Sequence, residues 1–505
     1  MRDVATQIGR LHSAGMCRAL VVAAPCLAML AFSGCKPVGP NYSKPATTPP
    51  PAYKETGATS VVPPANPPGG SWKPADPSDG MLKGKWWEIY QDPQLNKLEE
   101  RIATDNLQLK QALDRYQAAH DQIAVANSGL YPTLTAADQA NRSRQSYNAP
   151  NAPNTDSKIM SNLFLVEGIA NWEPDFFGRV RRTAEQARAT AQGSAADMAS
   201  LDLTLRASLA TYYFALRGLD SQAQLLSHTI SDLQSQLELT QHRLAGGVAT
   251  GVDVSQAQTQ LDNVRAQLVE LGVARAQYEH AIAALINVDI PTFSIPVSPL
   301  DLALPKVPTG LPSQLLERRP DVASAERAAA AANAQIGIAI AAFYPDIFLG
   351  GPGGFDSLSP GTLIQGPSAF WTLGENATWL LFDAGKRHAI TDAARLSYDA
   401  QVNGYRNTVI QAFQDVENQL STLRILEQES GVANEAVASA QHTFDLASQR
   451  YKGGVTSYLE VLTAEQTLIQ DQIVAINIES RQFAASVGLV RSLGGGWDTA
   501  QLPKN

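Results

Sequence analysis

Cysteine is nearly absent from this chain of 505 residues. Its three cysteines, Cys17, Cys26 and Cys35, all lie at the start, so no disulfide framework or cysteine-held metal cluster is available beyond them. Charge is sparse as well. Asp, Glu, Lys and Arg make up 17% of residues, below the usual quarter, and the formal net charge is -9. The chain lacks the basic balance of a nucleic-acid binder, and that function class is excluded. After residue 35 there is no run of 18 or more apolar residues, which excludes a transmembrane helix. Histidine spacing offers no metal site: His120, His228, His242, His280, His388 and His442 form no His-Glu-x-x-His or similar set. The run Gly350-Gly351-Pro352-Gly353-Gly354 has no Gly-Lys-Ser/Thr after it and reads as a strand or loop, not a phosphate cradle. No Ser-His-Asp or Cys-His arrangement can be assembled, so no enzyme is expected and no cofactor or metal is called for. Apolar residues, at 44%, are near the globular average, so the chain is not disordered throughout.

What is present begins with an address. Arg2, Arg10 and Arg18 precede an apolar stretch from Ala19 to Phe32, then Ser33-Gly34-Cys35. Basic residues, a short apolar core and small residues before a break form a signal peptide over residues 1–34. Leu30-Ala31-Phe32-Ser33-Gly34-Cys35 resembles a bacterial lipobox. Cys35 is accordingly read as a lipid-attachment site rather than a buried thiol of the leader. Lys36, not Asp, would follow it, which by analogy favours the outer membrane over retention at the inner one. Residues 35–85 carry Pro49-Pro50-Pro51, Pro63-Pro64 and Pro67-Pro68-Gly69-Gly70, a composition expected to run as an extended tether without a core of its own.

Beyond the tether the chain repeats itself. Arg243-Leu244-Ala245-Gly246-Gly247-Val248 matches Arg450-Tyr451-Lys452-Gly453-Gly454-Val455 at an offset of 207 residues. Trp172 meets Trp379, and Gly178-Arg179 meets Gly385-Lys386, at the same offset. Upstream, Tyr131-Pro132 meets Tyr344-Pro345 at 213. A fixed offset over this span indicates a duplicated unit. The copies are expected at residues 86–290 and 313–493, with a Pro-rich linker at 291–312 and a tail at 494–505.

Within the first copy, Met198, Leu201, Leu205, Leu209, Tyr212 and Leu216 begin a series stepping by 3 and 4 as far as Leu244. That is a coiled-coil spacing. It predicts a long helix over 183–244, about 93 Å at 1.5 Å per residue, and its counterpart over 388–451. Each ends at a glycine pair, where glycine takes the left-handed turn that closes a helix. The next helices, 250–287 and 457–493, open with Thr250…Asp253 and Ser457…Glu460 at capping-box spacing. A further helix precedes each Tyr-Pro, from Leu95 to about Leu130 and from Asp321 to Phe343.

After each Tyr-Pro the pattern changes period. Ala369, Trp371, Leu373, Ala377, Trp379 and Leu381 alternate with polar residues, and Phe164, Val166, Ala170 and Trp172 do so less cleanly. Period-two alternation over this length fits a tilted membrane strand. Hairpins are predicted at 133–173 and 346–382, four strands in all. Four strands cannot close a barrel, and an open edge is not tolerated in lipid. A homo-oligomer sharing one barrel follows. Eight strands would be filled by side chains, so a passage favours three chains and twelve strands.

These residues resemble the TolC/OprM-like outer-membrane efflux family, in its lipoprotein (NodT-type) branch. The resemblance is carried by Cys35-Lys36-Pro37-Val38-Gly39-Pro40-Asn41-Tyr42, Trp86-Trp87, Asp92-Pro93-Gln94-Leu95, Glu317-Arg318-Arg319-Pro320-Asp321, Leu381-Phe382-Asp383-Ala384-Gly385 and Leu493-Gly494-Gly495-Gly496-Trp497. It implies a mixed α/β membrane protein: a homotrimer with a 12-stranded outer-membrane β-barrel continued by a periplasmic α-helical barrel. Its partners would be outer-membrane lipid, a periplasmic adaptor and an inner-membrane pump, commonly of the RND type. The duct would be passive, carrying drugs or other small toxic compounds. The glycine-pair tips would be its inner end: Arg243, Gly246, Gly247 and Val248 with Arg450, Gly453, Gly454 and Val455. For the glycines, turn geometry and adaptor contact both stand. For the arginines, adaptor contact and an inter-helix salt bridge both stand. Leu459 falls where relatives place a constricting Leu. Thr463 stands where some carry Asp, so an acidic gate would fall to Glu460 or Glu465, and a solvated Glu at a helix start is the plainer reading.

Two other classes remain. A structural coiled-coil lipoprotein of the envelope would suit the heptads but not the alternating strands. Export of protein or metal ions would suit the same architecture.

Overall fold

Several helix starts in this chain are set by short polar side chains. Asp92 accepts from the Gln94 and Leu95 amides at 2.8 and 3.1 Å, with Pro93 at the first helical position. Asp175 does the same for Val180 and Arg181, both at 3.0 Å, and Asp383 for Gly385 and Arg387, both at 3.1 Å. From such starts the computed structural model builds a long helical body with a sheet at one end. It describes residues 36–47, 49–50, 52–56, 84–144, 146, 160–308, 315–497 and 502–503. The leader and Cys35 lie outside the described residues, as do 57–83 of the expected tether and most of the first hairpin loop.

The first copy contains α1 (Pro93–Asp105), α2 (Leu107–Ser128), β1 (Thr133–Arg144), β2 (Met160–Trp172), α3 (Arg179–Ala245) and α4 (Gly251–Leu285). The second contains α5 (Leu315–Arg318), α6 (Pro320–Ala341), β3 (Asp346–Ser357), β4 (Ala369–Trp371), β5 (Gly374–Thr378), α7 (Lys386–Lys452) and α8 (Tyr458–Ser492). Lengths of 22, 67 and 35 residues recur in both copies, in α2 and α6, α3 and α7, α4 and α8. A helix of 67 residues spans about 100 Å. No described helix is long and apolar enough to cross a membrane.

One expected helix is broken. Where Leu95 to about Leu130 pointed to a single element, Asn106 leaves helical geometry at ψ 123°. Its Oδ1 accepts from the Leu109 amide at 2.9 Å, and its Nδ2 donates to the Leu285 carbonyl at 2.7 Å. The break thus joins the end of α4 to the start of α2, and the two shorter helices lie end to end along α3.

The sheet joins the two hairpins. β1 pairs β2, β2 pairs β3, and β3 pairs both β4 and β5, all antiparallel. β4 and β5 share one register on β3 and act as a single strand. The gap at Thr372 falls opposite Pro352, which accepts from the Thr372 amide at 2.8 Å but has no N–H to return. The register sets Leu134, Phe164, Val166, Phe355 and Trp371 on one face, with Asp138 and Glu375 among them and Arg142, Arg144, Asn162 and Ser357 toward the end at the hairpin loops. Thr135, Gln139, Glu167, Asn171 and Asn376 lie on the other. Trp172 and Trp379 hook the strands to the helices in the same way: each indole N–H donates at 3.0 Å, to the Leu130 and Phe343 carbonyls.

At the waist Tyr90, Phe214 and Phe483 are all at most 2% exposed and meet at ring distances of 4.8 Å about Phe214. The Pro-rich linker is tied down there by charged side chains. Arg217 donates to the Pro296 carbonyl at 2.7 Å, Arg275 to the Ile295 carbonyl at 2.7 Å, and Asp220 accepts from the Ser298 amide at 3.0 Å.

The first part of the expected tether is not free. Val38 donates to the Phe177 carbonyl at 3.0 Å, beside the start of α3. Arg182, 2% exposed, donates to the carbonyls of Val38 and Gly39, each at 3.1 Å, and to Asn41 Oδ1 at 2.9 Å. Asn333 holds the Pro40 carbonyl at 3.0 Å, Tyr53 is buried with Val322 and Tyr405, and the Lys54 amide donates to Glu417 at 2.7 Å. Composition alone favoured an extended segment without a core. The helical body supplies the core instead, and the described residues between 36 and 56 form a strap along it.

Candidate functional site at the hairpin tips

Each tip is closed by the same backbone bonds. Gly247 and Gly454 both sit at φ +74°, where a side chain would be strained, while Gly246 and Gly453 keep negative φ. Only the second glycine of each pair therefore needs the left-handed region. The Gly247 amide donates to the Leu244 carbonyl at 3.0 Å and Val248 to Arg243 at 2.8 Å. Gly454 and Val455 repeat this onto Tyr451 and Arg450 at 3.0 and 2.9 Å. This is the six-to-one and five-to-two pattern that satisfies the last helical carbonyls. It leaves Val248 69% and Val455 73% exposed, an apolar point on each tip.

The two arginines do different work. Arg243 reaches the other hairpin, donating to the Tyr451 carbonyl at 3.0 Å with its guanidinium 4.3 Å from the centre of the Tyr451 ring. Arg450 stays within its own hairpin and pairs with Glu460 at 2.9 Å. That pair is about half exposed, so its worth is about 0–1 kcal/mol. Glu460 also accepts from Thr456 Oγ1. It is thereby turned away from the cap expected at Ser457, whose side chain makes no capping bond, whereas Thr250 and Asp253 form the full capping box. Leu459 is 54% exposed, and Thr463 donates to its carbonyl at 2.9 Å.

Sequence reasoning offered Glu465 only as a possible member of an open acidic ring. It is 4% exposed, bonded to Gln236 of α3 at 3.1 Å, and burial pushes its carboxyl up to about 7. Tyr458 and Gln236 at the same junction were missed. A signal existed: Tyr458, Val461, Glu465 and Leu468 step by 3 and 4, placing an acid on the helix's buried stripe.

Sheet, shaft and tips together define a channel-forming subunit of the outer membrane. The model of the family described as outer membrane efflux protein matches residues 99–288 and 311–495. The chain is 31% identical over 437 residues to the probable efflux pump outer membrane protein TtgC of Pseudomonas putida, covering 85% of this chain and 89% of that one. It is 31% identical over 478 residues to the solvent efflux pump outer membrane protein SrpC of Pseudomonas putida, covering 94% and 98%. The solved outer-membrane channel OprN superposes with a TM-score of 0.81 at 27% identity, over 91% of this chain and 99% of that one. The chain belongs to the outer membrane efflux protein family. It is an outer-membrane component of an efflux pump, working with adaptor and inner-membrane pump components, and it is a channel rather than an enzyme.

Proposed function

We propose that three copies of this chain form one continuous duct, with a shared 12-stranded barrel in the outer membrane and a helical tunnel reaching through the periplasm. The observation that carries this is the sheet: four antiparallel strands joined from both hairpins, one largely apolar face, and both outer strands, β1 and β4/β5, unpaired on their free sides among the described residues. Such edges in lipid require closure by further copies. A second observation agrees. Ile390, Leu396, Ile410, Ile425, Val432 and Leu446 are exposed along α7 at spacings near multiples of seven, a stripe suited to a neighbouring helix. In detergent the mature protein is expected to run as a trimer. A stable monomer in sedimentation would sink this reading.

The inner end engages a periplasmic adaptor, and through it an inner-membrane pump of the RND type. Val248 and Val455, with Arg243 and Arg450 and the glycine pairs behind them, are the contact points. A photo-reactive residue at Val248 or Val455 is expected to crosslink the adaptor in intact cells. Crosslinks only to other copies of this chain would move the contact elsewhere. Leu459, with Glu460 and Thr463, lies at the level of the duct's inner constriction. Relatives named for solvent and antibiotic efflux favour small toxic compounds as cargo over proteins or metal ions.

Cys35 carries the lipid. Support comes from the strap, which fixes Val38 to Phe177 at the sheet end of α3, so that an acyl chain three residues earlier would start near the barrel. Cys35→Ala is expected to move the protein from the membrane to the soluble fraction or into loosely held material, with its helical circular dichroism retained. Unchanged incorporation of radiolabelled palmitate would refute the assignment.

A further inference from the structure

α8 is held against α3 near the tips by few polar contacts, and one of them is ionisable. Glu465 lies on the buried side of α8 between Val461 and Leu468, beside the apolar cluster of Leu233, Leu237, Leu261, Tyr458 and Val461. Its Oε1 accepts from Gln236 Nε2 at 3.1 Å, and its Oε2 is buried with no partner among the described residues. Gln236 also accepts from the Tyr458 hydroxyl at 3.4 Å, so one amide side chain bridges both residues of α8.

The charged and titratable groups around this junction come from all the helices packed there. α3 presents Asp232, a like charge, and α4 presents Asp253 toward Tyr458. α7 presents Tyr451, whose ring centre is 5.4 Å from that of Tyr458. Arg243 of α3 faces Tyr451, and Arg450 of α7 pairs with Glu460 of α8. Burial pushes the Glu465 carboxyl up to about 7; the Gln236 hydrogen bond pulls it down, and the Asp232 charge pushes it up by less. A neutral carboxyl suits this site, because an ionised one would place a charge in an apolar junction with a single donor.

We propose that Glu465 is a proton-operated latch between the two helical hairpins of one chain: neutral, it holds α8 against α3, and ionised, it lets the tips part. Its bearing on the channel rests on the reading that the tips form the inner end of the duct. The sign follows from linkage. When the hairpins part, the carboxyl returns toward its ordinary value near 4.5. The closed state therefore gains most at pH below that value, and the gain is lost as pH rises through about 7. The ratio of parted to closed hairpins should rise by at most about tenfold per pH unit for each chain across that window, then level off.

The test uses the whole acylated protein reconstituted in planar bilayers, titrated across the window, with amide hydrogen exchange of residues 458–470 measured in parallel and corrected for intrinsic rates. Wild type should show open probability and exchange rising together and levelling near pH 7. Glu465→Gln keeps the shape and removes the charge, and should be flat and closed. Asp232→Asn removes the like charge and should level at lower pH. A Glu465→Gln profile that follows wild type, or wild-type exchange that ignores pH, overturns the latch. If no conductance appears at any pH, the duct reading fails, and the exchange measurement still decides the latch.

Discussion

Gly354→Val is expected to leave the two hairpins of the chain unjoined and to abolish the proposed oligomer, with export lost completely. β2 and β3 are the strands that make one sheet from two copies, and Gly354 lies opposite Glu167 in their ladder. A Cβ at this position would stand 2.1 Å from the Val166 carbonyl oxygen and 2.7 Å from the Glu167 Cα. Both are backbone atoms, so no rotamer change relieves the clash, and the cost exceeds the ~1–3 kcal/mol typical of overpacking. The strand must move away, and its displacement breaks the ladder on which the proposed barrel closure would depend. The helical shaft lies outside the sheet and should fold normally. The check is gel migration without heating, together with helical circular dichroism. A variant that still migrates as a stable oligomer would show that the joint tolerates a side chain.

The position of that glycine shows how much of the fold could be read beforehand. The duplication was legible because Trp172 and Trp379 make the same hydrogen bond, and because the glycine pairs close the same turn; both are local demands on residue type. The alternating face read over residues 369–381 was legible because period two needs no partner to be seen, although the strand ends at Thr378 and leaves Trp379 and Leu381 beyond it. The joining of β2 to β3 was not, because a register between strands almost 180 residues apart leaves no periodic trace. The strap was misread in the opposite sense. Its prolines and small residues look like a tether, and only the buried guanidinium of Arg182 and the groove beside α6 turn them into a packed segment. At the tips, Gly247, Gly454, Val248 and Val455 were visible as turn chemistry. The partner of each arginine was not, since Arg243 and Arg450 occupy equivalent sequence positions yet meet Tyr451 and Glu460 respectively. The duplication has diverged where the two hairpins touch, and the Gln236–Glu465 junction belongs to that divergence.

Asp220→Ala is the second large effect, and it acts at the waist. Asp220 is 1% exposed and accepts from Arg217 at 3.3 Å, Arg275 at 2.7 Å and the Ser298 amide at 3.0 Å. Arg217 is 4% exposed and Arg275 also pairs with Glu279 at 2.8 Å. Removing the shared carboxylate takes away the acid paired with the buried Arg217 guanidinium, leaves Arg275 with Glu279 alone, and frees the linker amide. Breaking a buried ionic cluster from one side costs about 3–5 kcal/mol. The linker from Ile295 to Ser298 should then detach from α3 and α4, since its carbonyls are held by those same arginines. The expected result is a lower urea midpoint and protease cleavage within residues 295–302, while the sheet and tips remain intact. Asp220→Asn, which keeps the size and one acceptor oxygen but puts an NH2 donor where the other oxygen stood, should fall between Asp220→Ala and wild type. Export per folded channel should stay near wild type, because the waist fastens the shaft and touches neither end of the duct. Equal urea midpoints for wild type and Asp220→Ala would mean that the linker is held by its apolar contacts alone.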